Sequence, residues 1–247
     1  MIKEALQYIV GLGEAKVQYI TLPDGTIQTY SDKPLQRLKK YIPMADSAIH
    51  MNTLTSLVDY IRGKIDSMSE KMIIQVVDPE TVILFSKLNE ERNRETLVVV
   101  NAKIPEFPFD SFINQETFCI NLQAKFINDP ETDLALVLKF AGTVETGTVT
   151  EYGDDGVTQK ATVKTGIASK SEAVVPNPVT LRPYRTFLEV EQPKSDFIFR
   201  MKQDKYDGIN CAIIEADGGA WKMAATKAIK DYLQYELSEY EQFTVIS

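Results

Sequence analysis

The sequence predicts an α+β fold: a mixed or antiparallel sheet with a long β-hairpin and several packed helices, in one domain spanning residues 1–247. Three observations carry this. Strand-type and helix-type segments come in blocks and not in strict alternation, which argues against a doubly wound parallel sheet. Apolar and polar residues alternate through 157–167, as in a half-exposed strand. Helical spacing recurs near the N-terminus, after residue 54 and near the C-terminus. A soft subdivision near 142 would set a mixed α/β part, 1–142, apart from a hairpin-rich part with the C-terminal helix, 143–247.

Taken in order, residues 1–12 form an amphipathic helix with Ile2, Leu6, Ile9 and Val10 on one face, ended by Gly11 and Gly13. Residues 17–22 and 26–30 flank Pro23-Asp24-Gly25, a hairpin signal. Residues 35–41 read as a short basic helix stopped by Pro43. Leu54, Leu57, Val58, Ile61 and Ile65 follow helical spacing behind a cap at Asn52 or Thr53. Strands follow at 72–77, 82–85 and 97–100, and Phe107-Pro108-Phe109 is a connector. Phe118, Leu122 and Phe126 line one helix; Leu134, Val137, Leu138 and Ala141 line the next, capped by Gly142. Residues 143–150 and 157–167 make the long hairpin around Tyr152-Gly153-Asp154-Asp155-Gly156. Residues 174–179 are extended, and further strands fall at 187–190, 197–200 and 211–214. Asp217-Gly218-Gly219 opens a final helix with Trp221, Ala224, Ala225, Ala228, Ile229 and Tyr232 on its apolar face.

Charge and chemistry narrow the function. With 27 Lys+Arg against 35 Asp+Glu, the net charge of −8 repels a phosphate backbone, so nucleic acid is not an expected partner. No apolar run approaches the roughly 18 residues of a membrane span, and Lys3, Glu4, Gln7 and Glu14 break up any leader-like segment. Cys119 and Cys211 read as buried free thiols in a reducing cytoplasm. One histidine, His50, and two isolated cysteines give no zinc-ligand spacing and no nucleophile–base pair, so neither enzyme activity nor a cofactor or metal is expected. Asp154-Asp155 belongs to turn chemistry. Asp217-Gly218-Gly219 either presents N–H groups to an anion or is a tight turn in which Asp217 itself accepts them.

The densest segment is 181–193, with two arginines, two aromatics and two prolines in thirteen residues. Arginine beside tyrosine or phenylalanine suits a stacking or protein-interface surface, and equally a buried Arg–Glu network. The candidate interface or binding residues are Arg182, Tyr184, Arg185, Phe187, Glu189, Arg200, Asp217 and Trp221.

Residues 154–159, the block 181–187 with Glu189, Gln192-Pro193 and Ser195, the 197–200 strand and Ala216-Asp217-Gly218-Gly219-Ala220-Trp221 together resemble the YfdQ-like family of phage and prophage proteins, across roughly 143–235. The resemblance implies a cytoplasmic phage or prophage protein and carries over no catalytic residue. The expected function is non-enzymatic self-assembly into a homo-oligomer through the hairpin and the arginine/aromatic segment. The alternative is a binding module in phage DNA metabolism or host-defence inhibition, with Arg182, Arg185 and Arg200 holding a nucleotide, nucleic acid, or host or phage protein. A third reading is a hydrolase built on Asp154, Glu189 and Asp217.

Overall fold

A computed structural model describes residues 2–13, 16–32, 35–38, 42–68, 70–150, 160–164, 170–174, 177–204 and 208–247. Helix α1 (Ile2–Gly13) leads into strands β1 (Val17–Thr21), β2 (Ile27–Asp32) and β3 (Leu35–Leu38), which form an antiparallel sheet in that order. β4 (Ile49–Met51) and helix α2 (Leu54–Arg62) precede β5 (Met72–Asp78), β6 (Thr81–Ser86) and β7 (Thr96–Asn101). Then come β8 (Ile113–Asn114), the helix pair α3 (Gln115–Lys125) and α4 (Leu134–Thr143), and β9 (Val144–Thr150), β10 (Lys160–Lys164) and β11 (Lys170–Val174). The chain closes with β12 (Val179–Leu181), β13 (Ser195–Asp204), β14 (Gly208–Glu215), helix α5 (Ala220–Glu236) and β15 (Phe243–Ile246).

Two hydrophobic cores organise these elements. The first lies under a five-stranded mixed sheet, β15-β5-β6-β7-β4, whose outer strands pair in parallel and whose inner strands are antiparallel. Met72, Ile74 and Val76 alternate inward with Val82, Leu84, Val98 and Val100, and α2 and α5 cover them with Leu54, Leu57, Ile61, Ile229 and Leu233. The second lies between α3–α4 and the antiparallel sheet β12-β13-β14-β8. It is rich in phenylalanine: the rings of Phe118 and Phe199 stack 5.6 Å apart, and Phe109 stacks on Phe197 at 5.7 Å. The cores interleave along the chain, since Phe187 and Val190 belong to the first while Leu181 and Phe197, on either side of them, belong to the second.

The α+β class stands, with mixed and antiparallel sheets, and several elements differ from expectation. Residues 35–38 are strand and not helix, because they pair with the open edge of β2; residues 39–41 lie outside the described residues. Residues 187–190 form a turn and not a strand: Val190 N–H donates to the Phe187 carbonyl at 3.3 Å, which puts both side chains on the same side, into the first core. Thr53 caps α2, which ends at Arg62 as Lys64 takes a left-handed φ of 49° and its N–H turns to the Ile61 carbonyl at 3.2 Å; Ile65 is left exposed. Gly142 does not cap α4. That helix runs on to Thr143, whose hydroxyl donates to the Lys139 carbonyl at 2.8 Å. In α5 the buried face is Trp221, Ala225, Ile229 and Leu233, and Ala224 is exposed. The arms β9 and β10 pair antiparallel, and β11 adds a third strand beyond β10. The hairpin tip, with Asp154 and Asp155, lies outside the described residues. His50 is exposed on β4.

Candidate functional site

The 181–193 segment is held from within by one amide. Gln192 is 4% exposed; its Oε1 accepts from the N–H groups of Arg185 (2.9 Å) and Thr186 (3.1 Å), and its Nε2 donates to the Phe187 carbonyl at 2.9 Å. Thr186 donates its hydroxyl to the Pro79 carbonyl at 2.5 Å, tying the segment to the β5–β6 turn. On the opposite side Arg182 reaches Asp129 (3.0 Å), Glu191 (2.5 Å) and the Gln192 carbonyl (2.8 Å), clamping the α3–α4 connection. Glu189 accepts from the Thr55 N–H at 3.1 Å, in the first turn of α2, where a carboxylate complements the helix dipole.

Arg185 is the centre of the arrangement. It is 3% exposed, with its guanidinium 4.0 Å from the Trp221 ring and 5.6 Å from that of Phe197. Its Nη1 donates to Glu215 at 3.0 Å, and its Nη2 donates to the Ser195 hydroxyl. The Ser195 hydroxyl in turn donates to Asp217 Oδ2 at 2.7 Å. Burial draws the Arg185 pKa down to about 10, against the opposing pull of Glu215 and Asp217.

Asp217 answers the question posed by the Asp-Gly-Gly turn. Gly218 and Gly219 hold φ of 62° and 81°, a left-handed path that suits glycine, and so turn the backbone into α5. Asp217 Oδ1 accepts from the Gly219 N–H at 2.9 Å and Oδ2 from the Trp221 N–H at 3.2 Å, so the chain's own carboxylate occupies the helix start. Desolvation pushes its pKa up, but the Ser195 hydroxyl, these two N–H groups and Arg185 together hold it below the ordinary carboxylate value. No family model, curated protein or solved structure matches the chain.

Of the eight candidate residues, the fold brings Tyr184, Arg185, Asp217 and Trp221 to one place, and adds Ser195 and Glu215. Phe187 is a core residue at 1% exposure; Glu189 and Arg182 serve α2 and the α3–α4 connection, and Arg200 lies half-buried on β13 opposite Ala212. Above Arg185 and Trp221 opens a cleft of about 790 Å³, walled by Tyr184, Phe107 and Phe109. The two phenylalanines flank a proline outside any periodic run, and that was the signal available for them. Among the described residues no group of three or more His, Cys, Asp or Glu could hold a metal ion, and no helix is long and apolar enough to cross a membrane.

A second surface is left unspent. α1 buries none of its residues, with Ile2 at 80%, Leu6 at 56%, Ile9 at 63% and Leu12 at 53% exposure. Next in the chain, Val17, Tyr19, Ile20 and Ile27 of the β1–β2 hairpin are also exposed.

Proposed function

We propose that the chain is a non-enzymatic protein that assembles with further copies of itself, and that α1 with the β1–β2 hairpin is the contact surface. The observation that carries this reading is the complete exposure of α1. A helix of twelve residues, with two of them glycine, is marginal in water unless its apolar face is covered. Ile2, Ala5, Ile9 and Leu12 repeat at intervals of three, four and three, the stripe that packs against a like helix. Lys3 and Glu4 are its only charges, one of each sign, so two copies meet without repulsion there. A membrane-surface helix would carry a basic polar face, which one lysine does not supply. An apolar helix face left this exposed is uncommon on a soluble monomer. The arginine/aromatic segment, expected as the contact, supports the reading less, because Arg182, Arg185 and Glu189 have partners within the chain.

The likeness to YfdQ-like proteins supports a phage or prophage origin and a place in the host cytoplasm. Light scattering coupled to size exclusion tests the assembly. A discrete mass at a multiple of 27.8 kDa is expected, and Ile9→Asp with Leu12→Asp should reduce it to the monomer with secondary structure otherwise kept. A strictly monomeric parent at micromolar concentration would sink the proposal.

A further inference from the structure

Strand β1 pairs with β2 on one side only, and all five of its residues are exposed. The backbone groups on its open side follow from the turn. The Leu22 N–H donates to the Thr26 carbonyl at 2.7 Å, and the Gly25 N–H donates to the Leu22 carbonyl at 2.9 Å. Hydrogen-bonded and non-hydrogen-bonded pairs alternate along an antiparallel ladder, so the next bonded pairs are Ile20 with Gln28 and Gln18 with Tyr30. Val17, Tyr19 and Thr21 therefore turn their N–H and C=O groups away from β2, out of the open edge.

Soluble proteins blunt such edges with charge, proline or a bulge. The other edge strand of this sheet, β3, carries Arg37, and β11 carries Lys170 and Glu172. β1 reads Val-Gln-Tyr-Ile-Thr and has none of these devices. We propose that β1 pairs antiparallel with β1 of a second copy, about a two-fold axis at Tyr19, in one sheet with three strands from each copy. This pairing rests on the self-assembly reading and names its joint. Tyr19 then faces Tyr19 of the partner subunit, Val17 faces Thr21, and Gln18 faces Ile20. The outward groups of residues 17, 19 and 21 meet one another in register, each facing pair exchanging its hydrogen bonds. An aromatic faces an aromatic, a β-branched residue faces a β-branched residue, and no charge faces a charge. The same edge serves both copies, so it is used up in a dimer and does not propagate into a fibre.

The backbone assignment supplies the test. Tyr19→Pro removes an N–H that faces solvent in the single copy, a site where edge strands tolerate proline. Tyr19→Val keeps the N–H and removes the ring. Sedimentation at micromolar concentration is expected to show the parent and Tyr19→Val as dimers, and Tyr19→Pro shifted toward the monomer with its circular dichroism unchanged. Cross-linking reads the register without proline, and so decides even where Tyr19→Pro fails to fold. Gln18 and Ile20 of the two copies form a non-hydrogen-bonded pair, with Cα atoms about 4.5 Å apart and within disulfide reach. Gln18→Cys and Ile20→Cys chains, mixed and treated with oxidised glutathione, should join between positions 18 and 20, as read by mass spectrometry of an unreduced digest. The pairing is overturned if that link is missing, if either chain links to itself at the substituted position, or if a folded Tyr19→Pro dimerises as tightly as the parent. A monomeric parent overturns the pairing and the self-assembly reading together. A dimer lost in Ile9→Asp with Leu12→Asp but untouched in Tyr19→Pro overturns the pairing alone.

Discussion

Gln192 does the work of a missing strand partner: its carbonyl oxygen takes two backbone N–H groups and its amide nitrogen donates to the carbonyls of Phe187, Thr186 and Val190. Gln192→Glu keeps the size but removes that donor and buries a charge. A loss of about 2–4 kcal/mol is expected, read by urea unfolding followed at Trp221. Asp217 sets an acid limit. Its folded pKa lies below the unfolded 3.8, so its contribution is present above that value and is lost as pH falls through the folded one. Unfolding measured at pH 6 and pH 3 should show a smaller acid loss in Asp217→Asn than in the parent. Cys211 sets the opposite limit. Burial raises its thiol to about 12 from 9.0, so its share of stability is whole below 9.0 and fades as pH rises toward 12. A thiol reagent at pH 8 should leave Cys211 unmodified until denaturant is added. At this scale the Arg–aromatic–acid grouping was legible in 181–193 and in Asp217 and Trp221. Glu215 was not, because it reaches Arg185 across thirty residues and has no distinctive neighbours in sequence.

Among the elements, those with long periodic patterns were readable: α2, α3, α5 and the β5–β7 meander follow their apolar spacing. Failures came where a tertiary partner decides. Residues 35–38 have spacing compatible with a helical turn, and the edge of β2 makes them strand. Phe187 and Val190, spaced three apart, had to reach one core together, which a turn permits and a strand does not. The edge strands β4 and β15 carry three and four residues, too few for any period to register. The same reasoning gives a prediction for α1. A peptide of residues 1–13 should show little helix by circular dichroism in water, since nothing in it covers the apolar stripe. A strongly helical peptide at low micromolar concentration would mean that the helix stands without a partner.

For the whole molecule, net charge would act against the proposed assembly. Copies carrying −8 repel, while an apolar contact is insensitive to salt, so raising ionic strength should shift the mass distribution toward the larger species in sedimentation. Thermal midpoints should rise with protein concentration for the same reason. Fold class was legible from the block order of segments. The nesting of the two cores was not, because local periodicity says that a strand is half-buried without saying which sheet it joins. That nesting bears on synthesis at the ribosome. The second core is complete once Ile213 has emerged, whereas Leu54, Leu57 and the strands beneath them wait for Ile229, Leu233 and Val245. Of the two cores, the one that begins first in the chain is thus the last to be covered, an inversion of the usual N-terminal-first order of folding during translation.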